Sequence, residues 1–180
     1  MTRAAALLVA VALPAAGCGY ALEGRGITTD PSIKRIGVPR FKDASTGWVD
    51  LDTRVTEAVV GELTRRGRFT VVKEATGVDA VVIGELLSFD VVPINFTGGG
   101  GGEGQLTEAT RYAITLHARV VYRKVGMVDP LWENDDFSVR DEYDLDDADT
   151  QDFFDREDQS IDRLAESFAR RLVAAMLEAF

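Results

Sequence analysis

The chain of 180 residues holds one cysteine, one histidine and fewer cations than anions, with 20 Lys+Arg against 30 Asp+Glu. One cysteine excludes an internal disulfide. One histidine, His117, excludes a His-rich metal site, and nothing in the sequence pairs it with a nucleophile. A net charge of −10 repels phosphate backbones and excludes nucleic-acid binding as a main role. Long hydrophobic runs are also missing. The longest, Ala4 to Leu13, is an apolar stretch of ten residues, too short for a hydrocarbon core that needs about 20. The mature chain is therefore expected to sit on a membrane rather than span it.

What is present begins with that run. Met1-Thr2-Arg3 gives a positive start, Ala4–Leu13 an h-region, and Pro14, Ala15, Ala16 and Gly17 the small residues of a cleavage site, which together read as an export signal over residues 1–17. A lone thiol in an exported chain needs a role other than disulfide pairing. Ala15-Ala16-Gly17-Cys18 resembles the bacterial lipobox, with Ala15 where leucine is commonest, and the resemblance implies that Cys18 is acylated and becomes the first residue of the mature chain. The covalent lipid on Cys18 is the one attached group expected; no cofactor and no metal is. One acyl chain holds a protein marginally, whereas several hold it firmly. Gly19 stands where aspartate would resemble the inner-membrane retention signal, so the outer membrane is the expected address. Removal of residues 1–17 leaves 163 residues with a formal charge of −11, a length that suits one domain.

Residues 18–32 are rich in Gly, Thr, Asp and Pro without periodicity and read as an acylated tether. A single domain over 33–180 follows. Ile33–Val38 reads as a first strand closed by Pro39. Leu51, Val55, Val59 and Leu63 recur every four residues and predict a helix over 51–66, with Asp50 as N-cap and Gly67 as C′ residue. Phe69–Val72 is a short strand, and Val78–Phe96 a longer one ending near Pro93. Between Thr110 and Val125, Tyr112, Ile114, Leu116, Ala118, Val120 and Tyr122 alternate with Arg111, Thr115, His117, Arg119 and Arg123, the pattern of a half-buried antiparallel strand. Leu131–Leu145 answers it, with Phe137, Val139, Tyr143 and Leu145 in phase across the short turn Gly126–Pro130. A last helix, with Thr150 as cap, buries Phe154, Ile161, Leu164, Phe168, Leu172, Ala175, Met176 and Ala179. The order predicts an α+β two-layer sandwich: a mixed, mostly antiparallel sheet of about four strands with two helices on one face.

Catalytic chemistry has little support. Gly99, Gly101 and Gly104 satisfy GxGxxG, but a strand follows them instead of a phosphate-binding helix, and no Gly-Lys-Ser/Thr accompanies them; the run reads as a hairpin tip. Asp144, Asp146 and Asp147 lack the loop glycine and closing glutamate of a calcium loop, and read as a solvated loop before the last helix. The cations are more informative. Arg111, Arg119 and Arg123 share the polar phase of one strand and Arg140 that of its neighbour. Two roles stay open for them: cross-strand pairing with Glu133, Glu142 or Asp144, each pair contributing about 0.2–1 kcal/mol, or contact with anionic lipid phosphates.

Cys18-Gly19-Tyr20 with its tether, the segments IKRIGVPRFKD, LTRRGRFTVV and VDAVVIGELLSF, the long hairpin and the amphipathic C-terminal helix together resemble the LptE lipopolysaccharide-assembly lipoprotein family over nearly all of the mature chain. The resemblance implies a non-enzymatic lipoprotein that plugs the large outer-membrane barrel LptD, assists its assembly and helps deliver lipopolysaccharide. A second class is a tethered periplasmic lipoprotein that activates a peptidoglycan synthase or serves another envelope assembly complex. An activator must reach across the periplasm. Here about 14 residues, spanning on the order of 50 Å, separate Cys18 from the first strand, which favours a partner at the membrane.

Overall fold

The computed structural model describes residues 30–44, 47–97, 108–144 and 150–178. Six strands and two helices follow in the order β1 (Arg35–Gly37), β2 (Lys42–Asp43), α1 (Leu51–Arg65), β3 (Thr70–Val72), β4 (Ala80–Thr97), β5 (Glu108–Lys124), β6 (Trp132–Asp144) and α2 (Thr150–Glu178). The sheet runs β3-β1-β4-β5-β6, with β2 paired to β4 alongside β1. It is an α+β two-layer arrangement, as the residue pattern predicts, but with six strands where about four were expected. β1 and β3 fall within the expected strands Ile33–Val38 and Phe69–Val72 but are only three residues each, and β2, two residues long, is too short to show periodicity. Pro39 accounts for one break: without an N–H it cannot continue the ladder, so the chain leaves β4 after β1 and rejoins it as β2. These fragments pair in parallel, whereas the long ladders β4–β5 and β5–β6 are antiparallel.

The apolar phases fall as the sequence predicts. Leu51, Val55, Val59 and Leu63 of α1, Ile114, Leu116, Ala118, Val120 and Tyr122 of β5, and Val139 and Tyr143 of β6 are all buried in one core. Ile161, Leu164, Phe168, Leu172 and Met176 bring α2 onto the same face, so both helices cover one side of the sheet. Phe41, in the link between β1 and β2, lies over Gly84 of β4 and meets Phe168 edge to face at 6.3 Å. A Cβ on Gly84 would stand 2.0 Å from the Phe41 ring, so the bare backbone there is what lets the aromatic side chain lie flat on the strand.

Two local readings need correction. Asp50 does occupy the N-cap position, but with φ of 61° and no capping hydrogen bond from its side chain; Arg54 N–H donates to its backbone carbonyl instead. The left-handed backbone turns the chain into the helix and carries the side chain away from the orphan amides. Gly67, by contrast, is the left-handed C′ residue expected, with φ of 65° and its N–H on the Thr64 carbonyl at 2.9 Å. The second correction concerns β4, which runs past Pro93 to Thr97. Irregularities at Pro93/Asn95 and Asn95/Phe96 absorb the missing donor, and Pro93 still opposes Tyr112. Thr150, expected as the cap, is the first residue of α2, while its side chain, that of Phe154, and Leu145 and Ala179 lie outside what is described.

Candidate partner-binding surfaces

With both helices on one side, the other face of the sheet is open and its charged side chains form a lattice of ion pairs. Arg111 pairs with Asp144 directly across β5–β6, and this carboxylate raises the guanidinium pKa. Arg119 bridges three strands, reaching Glu85 of β4 at 3.3 Å and Asp135 of β6 at 3.1 Å. Arg140 takes Glu142 of its own strand at 3.1 Å. Arg123 forms no ion pair among the described residues. Of the expected partners, Asp144 and Glu142 are used and Glu133 is not. Asp135 escaped the sequence reading because the β6 irregularity opposite Ala118/Val120 shifts which acid of that strand faces Arg119, and Glu85 because only the β4–β5 register sets it directly opposite Arg119. His117 lies half-buried on the same face with Nδ1 2.7 Å from Asp136 Oδ1. No group of three or more potential metal ligands occurs among the described residues. Asp144 of the acidic stretch is held by Arg111; Asp146 and Asp147 lie outside the described residues.

The two ends of the sheet differ. At one end, the chain enters at Asp30, whose carboxylate accepts from Lys124 Nζ at 2.6 Å while Ser32 Oγ lies 2.7 Å from the same nitrogen. The Lys124 hydrogen bond holds the Asp30 carboxyl well below the usual carboxylate range. Next to it, the Asp79 carboxylate accepts the backbone N–H groups of Lys34 and Arg35, each at 2.8 Å, and these bonds lower its pKa too. The entering segment, the start of β4 and the end of β5 are thereby joined. Nothing in the linear pattern pointed to this clamp, since its residues lie 92 or 94 positions apart in one case and 44 or 45 in the other.

At the other end, the β4–β5 ladder runs on past the described part of β6. The described part of β6 ends opposite Arg111, while β4 and β5 pair as far as Thr97 and Glu108. On this stem Val92, Ile94 and Phe96 are 52%, 38% and 54% exposed. The equal lengths of two facing β-rich segments are the sequence signal for such an extension. Reading a strand end into Pro93 concealed it. Cys18, the 18–32 tether up to residue 29, and the Gly98–Gly102 run lie outside the described residues. No described helix is long and apolar enough to cross a membrane.

Comparison with known proteins brings in the family. No curated protein matches the chain by sequence. Among solved structures it resembles a protein from Xanthomonas campestris, with a TM-score of 0.51 at 12% identity over 81% of this chain and 84% of that one. It also resembles a hypothetical protein from Chlamydia trachomatis, with a TM-score of 0.50 at 10% identity over 83% of this chain and all of the other. Rare lipoprotein B from Shewanella oneidensis has a TM-score of 0.49 at 12% identity over 81% of this chain and 96% of that one. At such identities the first two matches speak for the fold alone. A family model described as LptE, lipopolysaccharide-assembly, matches residues 33–176, from just before β1 to the last turn of α2. The chain belongs to the LptE lipopolysaccharide-assembly family, a non-catalytic lipoprotein family.

Proposed function

We propose that this protein is an outer-membrane lipoprotein, acylated on Cys18, that partners an LptD-like barrel as plug and assembly factor in lipopolysaccharide transport. The observation that carries the proposal is the family match over nearly the whole folded domain. Two features of the domain support it. The helices occupy one face only, leaving a charged sheet face for contact, and the β4–β5 ladder carries exposed apolar side chains at Val92, Ile94 and Phe96, toward the end away from the chain entry. A barrel lumen offers polar wall to the first and a route toward acyl chains to the second. In this reading the domain works by occupancy and templating. Arg111, Arg119, Arg123 and Arg140 contribute the face that meets lipopolysaccharide phosphates, and the lipid on Cys18 keeps the domain at the periplasmic leaflet.

The test is a mild-detergent pulldown of the tagged full chain with identification of what accompanies it. Recovery of a large barrel protein is expected; a peptidoglycan synthase without a barrel would overturn the reading in favour of the activator class. Replacing Cys18 by serine is expected to abolish lipid labelling and membrane retention, and unchanged labelling would remove the anchor.

A further inference from the structure

The end of the sheet where the chain enters carries a second feature that the barrel role does not use. The turn between β5 and β6 presents Val125, Met127 and Val128 at 55%, 51% and 95% exposure, an apolar tip at the end of the sheet away from Val92, Ile94 and Phe96. The tip is built rather than loose. Val125 N–H donates to the Asp79 carbonyl at 2.8 Å, Met127 N–H to the Lys124 carbonyl at 3.2 Å, and Leu131 N–H to the Tyr122 carbonyl at 2.8 Å. The residue before the tip, Lys124, is the one that grips Asp30 and Ser32. The tip therefore stands beside the point where the chain leaves the domain toward Cys18.

We propose that the Val125–Val128 turn is a second membrane contact, its side chains entering the interfacial layer of the leaflet to which the chain is tethered. The inference rests on the reading of Cys18 as the anchor. Twelve residues lead from Cys18 to Asp30; fully extended they span about 40 Å, so the entry point cannot stray far from the lipid surface. The far hairpin is different: from Ala80 to Thr97, β4 extends over on the order of 55 Å, so Val92, Ile94 and Phe96 lie away from the entry point.

Charge at this end agrees with a lipid surface. Asp30 accepts from Lys124 and Asp79 from the backbone amides of Lys34 and Arg35, whose side-chain charges also lower its pKa, while the exposed side chains of Lys34, Arg35 and Arg123 form no ion pair within 4.0 Å among the described residues. Asp129 is the exposed carboxylate of the turn itself. With Glu133 exposed opposite Val121, the charge at this end is mixed, and within it Lys34, Arg35 and Arg123 place cations near an apolar tip, the combination that binds lipid phosphates and the acyl boundary together. A short acyl tether and an inserted tip also act as two linked contacts, which fixes the tilt of the domain on the membrane as well as its distance from it.

The experiment uses the acylated full chain in vesicles of phosphatidylethanolamine and phosphatidylglycerol, with Val128→Cys carrying an environment-sensitive fluorophore and Asp90→Cys as the comparison site. Both sites are exposed, so neither substitution threatens the core, and the acylated Cys18 does not take the label. Flotation and fluorescence are read on the same sample. The expected result is flotation with vesicles, a blue-shifted emission at 128, and several-fold stronger quenching there than at 90 by lipids spin-labelled near the headgroup. Flotation with equal, water-like signals at both sites overturns the contact and leaves the anchor standing. Absence of flotation removes the anchor and the contact with it. A blue shift at 128 without lipid quenching would assign the turn to a protein neighbour and overturn the proposal.

Discussion

Replacing Gly84 by alanine tests whether the helix layer is registered on the sheet through Phe41. In an extended strand the change alone would stabilise by about 0.4–1 kcal/mol, because alanine has less freedom to lose on folding. Here the added methyl would sit 2.0 Å from Phe41 Cε1, 2.1 Å from Cδ1 and 2.5 Å from Cζ. The ring cannot swing clear: Phe41 is buried, packs edge to face on Phe168 of α2, and has its backbone N–H fixed on Thr56 Oγ1 of α1 at 3.0 Å. Overpacking of this kind costs about 1–3 kcal/mol, and the short distances place it at the upper end. A net loss of about 2 kcal/mol lowers the melting temperature of a domain this size by about 4–8 °C. The assay is thermal unfolding followed by far-ultraviolet circular dichroism on wild type, Gly84→Ala, Phe41→Leu and the double variant. Removing the ring should recover at least about 1 kcal/mol of the Gly84→Ala loss as coupling energy. A melting temperature at or above wild type for Gly84→Ala, or strict additivity in the cycle, would refute the reasoning.

At Gly67 the constraint is the left-handed backbone and not space, since nothing lies within 4 Å of an added Cβ; Gly67→Ala should cost about 1 kcal/mol in denaturant unfolding. Asp79→Asn should weaken the clamp on the entering segment, read as faster hydrogen exchange of the Lys34 and Arg35 amides. Because those amides lower the folded-state pKa of Asp79 below the ordinary value of 3.8, its contribution is present above that value and is lost as pH falls through the folded pKa. The difference between wild type and Asp79→Asn should therefore shrink in that acid range and stay constant at neutral pH. Arg119→Ala with Arg140→Ala should weaken lipopolysaccharide binding while costing little stability, since exposed pairs contribute about 0–1 kcal/mol each. Lost stability with unaltered binding would make the lattice a purely internal charge arrangement. Arg54→Ala should lower stability by less than about 1 kcal/mol and only at low salt, because its bridges to Asp158 and Asp162 of α2 at 2.6 Å are open to solvent.

The sequence by itself determined the parts that depend on periodicity. Four-residue spacing placed α1 and its buried stripe, and strict alternation placed β5 and β6 with their inward faces, because burial of one side of a helix or strand leaves that imprint on every turn or second residue. It also named the family, since the same phasing runs across the domain. Tertiary structure decided everything that depends on which neighbour a residue meets. β2 exists because Phe41 and Gly84 bring a two-residue fragment back against β4. That Arg119 meets Asp135 depends on an irregularity in β6, and the left-handed backbone of Asp50 leaves no mark in the linear pattern. The clamp of Asp30 on Lys124, and with it the setting of the Val125–Val128 turn beside the chain entry, joins residues far apart in the chain. Contacts of that kind are fixed by sheet register, and a linear pattern carries the register of a strand only when a turn joins it directly to its partner.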